Sequence, residues 1–103
     1  MQSKVKVFND QISRKQKMPI SARFMDIGSE LGELEKEYLK ASNYGTKEFE
    51  MTTDFEMEYG DVLYSLLSLG CECNLDAEIA LQKVLDKYTK RLSANGSMGS
   101  KKE

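Results

Sequence analysis

The apolar positions of this chain recur at helical spacing along most of its length. Val5, Phe8 and Ile12 step by three and four and predict a first helix over about residues 3–16. Lys17, Met18 and Pro19 interrupt it. Pro19 suits the first turn of a following helix, where its missing N–H has no partner to lose. Ile20, Phe24, Ile27, Leu31, Leu34 and Tyr38 then trace one face of a long helix that ends near Ser42. The stretch SNYGTKE, residues 42–48, is turn chemistry. Thr53, with Glu56 three residues on, predicts a capping box for the next helix, which runs to about Cys73. The second half of that helix, VLYSLLSLG, is apolar on nearly every side, so it should be the most buried element. CNLDAE reads as a break and restart with Asp76 as N-cap. Ile79, Leu81, Val84, Leu85, Tyr88 and Leu92 carry the last helix. Lys87, Lys90 and Arg91 fall in its final turns, where cations complement the helix dipole. Residues 94–103 read as a flexible polar tail outside a single helical domain spanning 1–93. No segment alternates with period two. The expected class is all-α: four helices in a bundle-like arrangement centred on the two long ones.

Composition narrows the function. A chain of 103 residues fits one domain with a modest core, which a second copy would enlarge. A net charge of −2 offers no long-range attraction for DNA or RNA, so a nucleic-acid partner is not expected. No apolar run approaches the roughly 20 residues that span a bilayer. The opening MQSKVKVFND lacks the apolar region of a signal peptide, so the expected location is cytoplasmic. Histidine is absent, which removes the commonest catalytic base and the imidazole metal ligand. It also argues against a ferritin-like di-iron centre, which needs Glu-x-x-His motifs. Cys71 and Cys73 would point about 200° apart on a helix, too far round to bridge or share a metal, and read as reduced thiols.

The candidate chemistry lies in two acidic pentapeptides. ELGEL carries Glu30 and Glu33; EYGDV, 28 positions later, carries Glu58 and Asp61 in the same spacing. At about 100° per residue, Glu30 lies at the edge of its helix's apolar stripe beside Leu34. Glu58 is flanked by Val62, Leu69 and Ser65, residues that belong inside. If the two long helices pack side by side, the four carboxylates converge. Like charges at such separations must protonate, spread apart or bind a cation. No basic residue lies in either pentapeptide. A hard divalent ion, Mg²⁺ or Mn²⁺, suits carboxylates in the absence of imidazole and thiolate. Glu35, Glu37, Glu48 and Glu50 read instead as a solvated face. Gly32 and Gly60 point away from the acids, and the expected reason is close approach of another helix backbone. Phe8, Phe24, Tyr38 and Tyr64 can stack on a base, although aromatics at helical spacing usually serve the core.

At these residues the chain resembles the MazG-like family of all-α nucleoside triphosphate pyrophosphohydrolases. The family pattern is Glu-x-x-Glu, a spacer, then Glu-x-x-Asp. Here it reads Glu30-Leu-Gly-Glu33, a spacer of 24 residues, then Glu58-Tyr-Gly-Asp61. SELGEL resembles the first motif, EYGDVLYSLL the second and LDAEIALQKVLDKYTKR the closing helix, so the resemblance covers about residues 20–92. Ser29 stands where many members carry a further glutamate, and the first helix matches weakly. The resemblance implies hydrolysis of a (deoxy)nucleoside triphosphate to the monophosphate and pyrophosphate. Glu30, Glu33, Glu58 and Asp61 would hold Mg²⁺, with Glu33, Glu58 and Asp61 in catalytic roles and Glu33 as the general base. Lys87 and Arg91 would contact phosphate, and the active form would be a homodimer or homotetramer. Two alternatives remain: a phosphoribosyl-ATP pyrophosphohydrolase-like enzyme, or a non-catalytic helical module that dimerises or binds a partner helix.

Overall fold

A computed structural model of the chain describes residues 1–12 and 19–95. It contains four α-helices: α1 (Gln2–Asp10), α2 (Ile20–Ala41), α3 (Thr53–Glu72) and α4 (Ala77–Asn95). No strand occurs among the described residues.

The first helix ends at Asp10, earlier than its apolar spacing predicts. Gln11 N–H donates to the Phe8 carbonyl at 3.1 Å and Ile12 N–H to the Asn9 carbonyl at 3.0 Å, so the helix tightens into a turn. The part predicted over residues 13–18 lies outside the described residues. Pro19 stands just ahead of α2 with ψ 158°, and its carbonyl accepts the first helical bond, from Arg23 N–H, at 3.0 Å. Helix α2 stops because Asn43, Tyr44 and Gly45 all take positive φ, at 47°, 58° and 86°. Left-handed geometry is natural for glycine and tolerated by asparagine, whereas Tyr44 adopts it at a steric cost. Ser42, only 2% exposed, holds this turn: its Oγ and carbonyl both accept from Gly45 N–H, and the carbonyl also accepts from Lys47 N–H. Phe49 then stacks on Tyr38 of α2 at 5.2 Å and meets Phe55 of α3 edge-on at 4.9 Å. This aromatic clasp joins the end of α2 to the start of α3 and turns the two helices antiparallel.

Helix α3 is capped by Thr52, not Thr53. Thr52 keeps extended geometry and its Oγ1 accepts from Phe55 N–H at 3.0 Å, while Thr53 is already helical. The third helical residue is then Phe55, which has no acceptor to reach back, so the reciprocal half of a capping box is missing. Helix α1 lies on α3. Asn9 donates from Nδ2 to Ser68 Oγ at 3.0 Å and accepts from Tyr64 Oη at 2.6 Å, with Phe8 edge-on to the Tyr64 ring. Asp76 caps α4 as expected, its Oδ1 accepting from Ile79 N–H at 3.0 Å. Gln2 ties α1 to the start of α4: it donates to the Leu75 carbonyl and accepts from Ala77 N–H, both at 2.8 Å. Helix α4 continues to Asn95, past the predicted domain edge at 93, so Lys87, Lys90 and Arg91 precede its last turn.

Helix α3 is the most buried element, supplying Ser65, Leu67, Ser68 and Gly70 to the interior. That interior is thin: among the described residues, Ala41 and Leu67 are its only buried apolar side chains. Leu66 stays 51% exposed, and Ile79, Leu81, Leu85 and Leu92 of α4 are exposed as well. Helices α2 and α3 pack along their length and α1 packs on α3, while α4 has no comparable packing. The radius of gyration is 17.2 Å, against about 13 Å for a compact domain of this length.

The cap assignment is testable by urea unfolding. Thr52→Ala is expected to lower stability by about 1 kcal/mol, and Thr53→Ala to change it little. Equal losses would contradict it.

Candidate metal centre

Register brings the acids together. Ser65 Oγ donates to Asp26 Oδ2 at 3.0 Å, which sets these two residues opposite each other on the antiparallel pair. One turn further along α2 is Glu30, and one turn back along α3 is Asp61. Glu58 follows on the next turn of α3. The result is a cluster in which Glu30, Glu58 and Asp61 each offer a carboxylate oxygen, all within 4.8 Å of one another. Glu30 and Glu58 are half-buried and Asp61 is exposed.

The electrostatics follow from that geometry. Burial, reinforced by the charges of Asp61, Asp26, Glu58 and Glu33, raises the Glu30 carboxyl above its ordinary value. Burial also raises Glu58, followed by the charges of Asp61, Glu33, Glu37 and Asp54. No cation answers them: the ion pairs among the described residues are Lys6–Asp10, Arg23–Glu72 and Lys40–Glu37. The donor set is three carboxylate oxygens without nitrogen or sulfur. Such all-oxygen donors suit a hard divalent ion such as Mg²⁺, whose other positions would go to water and phosphate.

The sequence-predicted residues divide as follows. Three of the four carboxylates assemble, and Glu33 does not join them. It is exposed, yet its charge reaches both half-buried glutamates. Lys87 and Arg91 share a groove on α4 with Lys83, Asp86 and Lys90, and none of the acidic motif residues lines it. Gly32 and Gly60 face open space, with nothing within 4 Å of a Cβ built on either, so no helix among the described residues approaches there. Glu37 is less solvated than its spacing suggests: its side chain is 15% exposed and Lys40 pairs with it at 3.4 Å. Asp26 lies on the same helical face as Glu30, and its role in register appears once Ser65 is opposite it. Phe24 is exposed, and Tyr38, Phe8 and Tyr64 join aromatic pairs within the chain.

No family model, curated protein or solved structure matches this chain. Among the described residues, no helix is long and apolar enough to cross a membrane.

The raised carboxyls make stability depend on pH. The folded state holds the Glu30 and Glu58 protons more tightly than the unfolded chain does. Their stabilising contribution is therefore complete below the ordinary value of 4.5 and is lost as pH rises through the raised values. In chelator, the melting temperature is expected to fall across that window, and Glu58→Gln to flatten the fall. An unchanged slope in the variant would show that Glu58 is not crowded.

Proposed function

We propose that this chain is a divalent-metal-dependent nucleoside triphosphate pyrophosphohydrolase of the MazG-like type, with a bundle completed by a second or further copies. The observation that carries the reading is the convergence of Glu30, Glu58 and Asp61, drawn from both acidic motifs, within 4.8 Å. A triphosphate is strongly anionic, so an acidic pocket admits it only when bridging cations intervene. Glu30, Glu58 and Asp61 would hold Mg²⁺ or Mn²⁺. Bound there, the ion would neutralise phosphate oxygens and lower the pKa of a water.

The chain's own residues divide the remaining work. Glu33 stands outside the cluster, exposed and one turn from Glu30, so its carboxylate is free to accept the proton of an attacking water. Asp26, held by Ser65, fixes the position of Glu30 on its helix face. The groove of Lys83, Lys87, Lys90 and Arg91 is net basic despite Asp86 beside them, and would suit phosphate oxygens. Since α4 packs little against its own chain, a neighbouring copy is the natural source of that groove. The exposed Ile79, Leu81, Leu85 and Leu92 support a homodimer or homotetramer. The same exposed leucines favour a second reading, a helical module that binds a partner without catalysis, but that reading gives no reason for acids crowded against a leucine-rich helix.

A panel of NTPs, dNTPs and phosphoribosyl-ATP with Mg²⁺, scored for pyrophosphate, tests the proposal. Pyrophosphate release is expected from at least one of them. Glu58→Gln and Asp61→Asn should each lower turnover by about 100-fold or more, the scale of removing one group that stabilises transition-state charge, with helicity retained. Full activity in both variants, or none in the wild type, would defeat the assignment.

A further inference from the structure

Helix α1 is fastened to the rest of the chain mainly by two side-chain amides. Gln2, Val5 and Asn9, spaced by three and four, share its inner face and are half-buried. Asn9 bridges Tyr64 Oη at 2.6 Å and Ser68 Oγ at 3.0 Å, and Ser68 is fully buried. Gln2, two turns away, bridges the Leu75 carbonyl and Ala77 N–H, both at 2.8 Å. Gly70 leaves room for this second latch, since a Cβ there would stand 3.0 Å from Gln2 Nε2. Apolar support is slight. Val7 and Phe8 are 61% and 54% exposed, and α1 fully buries none of its own residues.

Such a helix is easily released. Its nine residues are too few for a stable isolated helix in water. Docking it costs backbone entropy, and the latches recover only part of that, because freed amides bond to water instead. Two cavities lie along its inner side. One, of about 220 Å³, has Lys6, Asn9 and Asp10 on the α1 side and Arg23, Cys71 and Glu72 on the other. The second, of about 320 Å³, has Gln2, Ser3 and Lys6 on the α1 side and Cys71, Asn74 and Leu75 among those facing them. Cys71 therefore adjoins α1 at both and is half-buried, whereas Cys73 is exposed. Arg23 Nε and Glu72 Oε2 are sealed without a hydrogen-bond partner among the described residues.

We infer that α1 is an amide-latched strap, which releases from α3 and recloses while α2 and α3 stay packed, and so governs access of solvent and small reagents to Cys71 and the Arg23–Glu72 pair. Release replaces four hydrogen bonds within the protein by bonds to water. It also lets water reach the two sealed atoms of the ion pair, which lowers the cost of opening. Neither latch is charged, and α1 contributes no residue to the acidic cluster. The strap therefore stands or falls apart from the metal reading, and its opening is the same with Mg²⁺ as with chelator.

Amide hydrogen exchange and thiol alkylation of the full chain test this together. In the wild type, the amides of residues 6–10 are expected to be at least tenfold less protected than those in the centre of α3. Iodoacetamide should modify Cys71 more slowly than Cys73, which serves as the internal reference. Asn9→Ala and Gln2→Ala each remove one latch. Each is expected to speed modification of Cys71 relative to Cys73 about tenfold, with protection in α2 and α3 retained. Val7→Ala, on the outer face, should leave that ratio unchanged. Equal protection in α1 and α3 would overturn the proposal, because α1 would then open only with the whole fold. So would equal modification of the two thiols in the wild type. A latch variant that lowers protection of α3 as much as that of α1, or leaves the thiol ratio unmoved, would also overturn it. The same results with and without Mg²⁺ are expected; an opening that follows the ion would tie α1 to the acidic cluster and contradict the neutral latch.

Discussion

The antiparallel register of α2 and α3 is the constraint on which everything else rests. A single hydrogen bond, Ser65 to Asp26, marks it, and the Arg23–Glu72 pair holds it further along. With those partners opposed, helical geometry leaves Glu30 no choice but to face Asp61 and Glu58. The carboxylates are crowded because the register of α2 and α3 sets them opposite one another, not because the acids attract one another. Packing energy is thus set against charge repulsion, and the raised Glu30 and Glu58 carboxyls record that opposition.

The remainder of the fold supplies little reserve. Among the described residues, two buried apolar side chains make a slight core for four helices. Polar anchors do much of the positioning: Asn9 between Tyr64 and Ser68, Gln2 between Leu75 and Ala77, Ser42 under the left-handed turn. Such contacts fix direction well but contribute modestly to net stability. The apolar faces of α4 and of Leu66 stay exposed, and the proposed oligomer would cover them with copies of the same chain. The acidic cluster and the basic groove of α4 would then be complementary surfaces of neighbouring subunits.

Much of this was legible in the residues. The apolar periodicity placed α2 and α3 to within a residue or two, because each presents a long stripe that only helical geometry can bury. Asp76 was legible as a cap because its side chain acts locally. Thr52 was not, since two adjacent threonines differ only in backbone geometry. The angular position of Glu30 and Glu58 beside leucines foretold their partial burial, but periodicity gives angle and not depth, so Glu33 could not be separated from them. The glycines show only that a close approach is possible, and no described helix of this chain makes it at Gly32 or Gly60. Arg23 shares a helix face with Ile27 and Glu30, yet a charged residue at the head of an apolar stripe reads as its solvent edge until Glu72 appears opposite.

The central claim is that the crowding of Glu30, Glu58 and Asp61 is resolved by a divalent cation. Thermal unfolding of the chelator-stripped protein near neutral pH, repeated with Mg²⁺ or Mn²⁺ added, addresses it most directly. Binding to the folded state alone predicts a melting temperature that climbs with ion concentration and saturates. An identical melting curve with and without either ion would contradict the account.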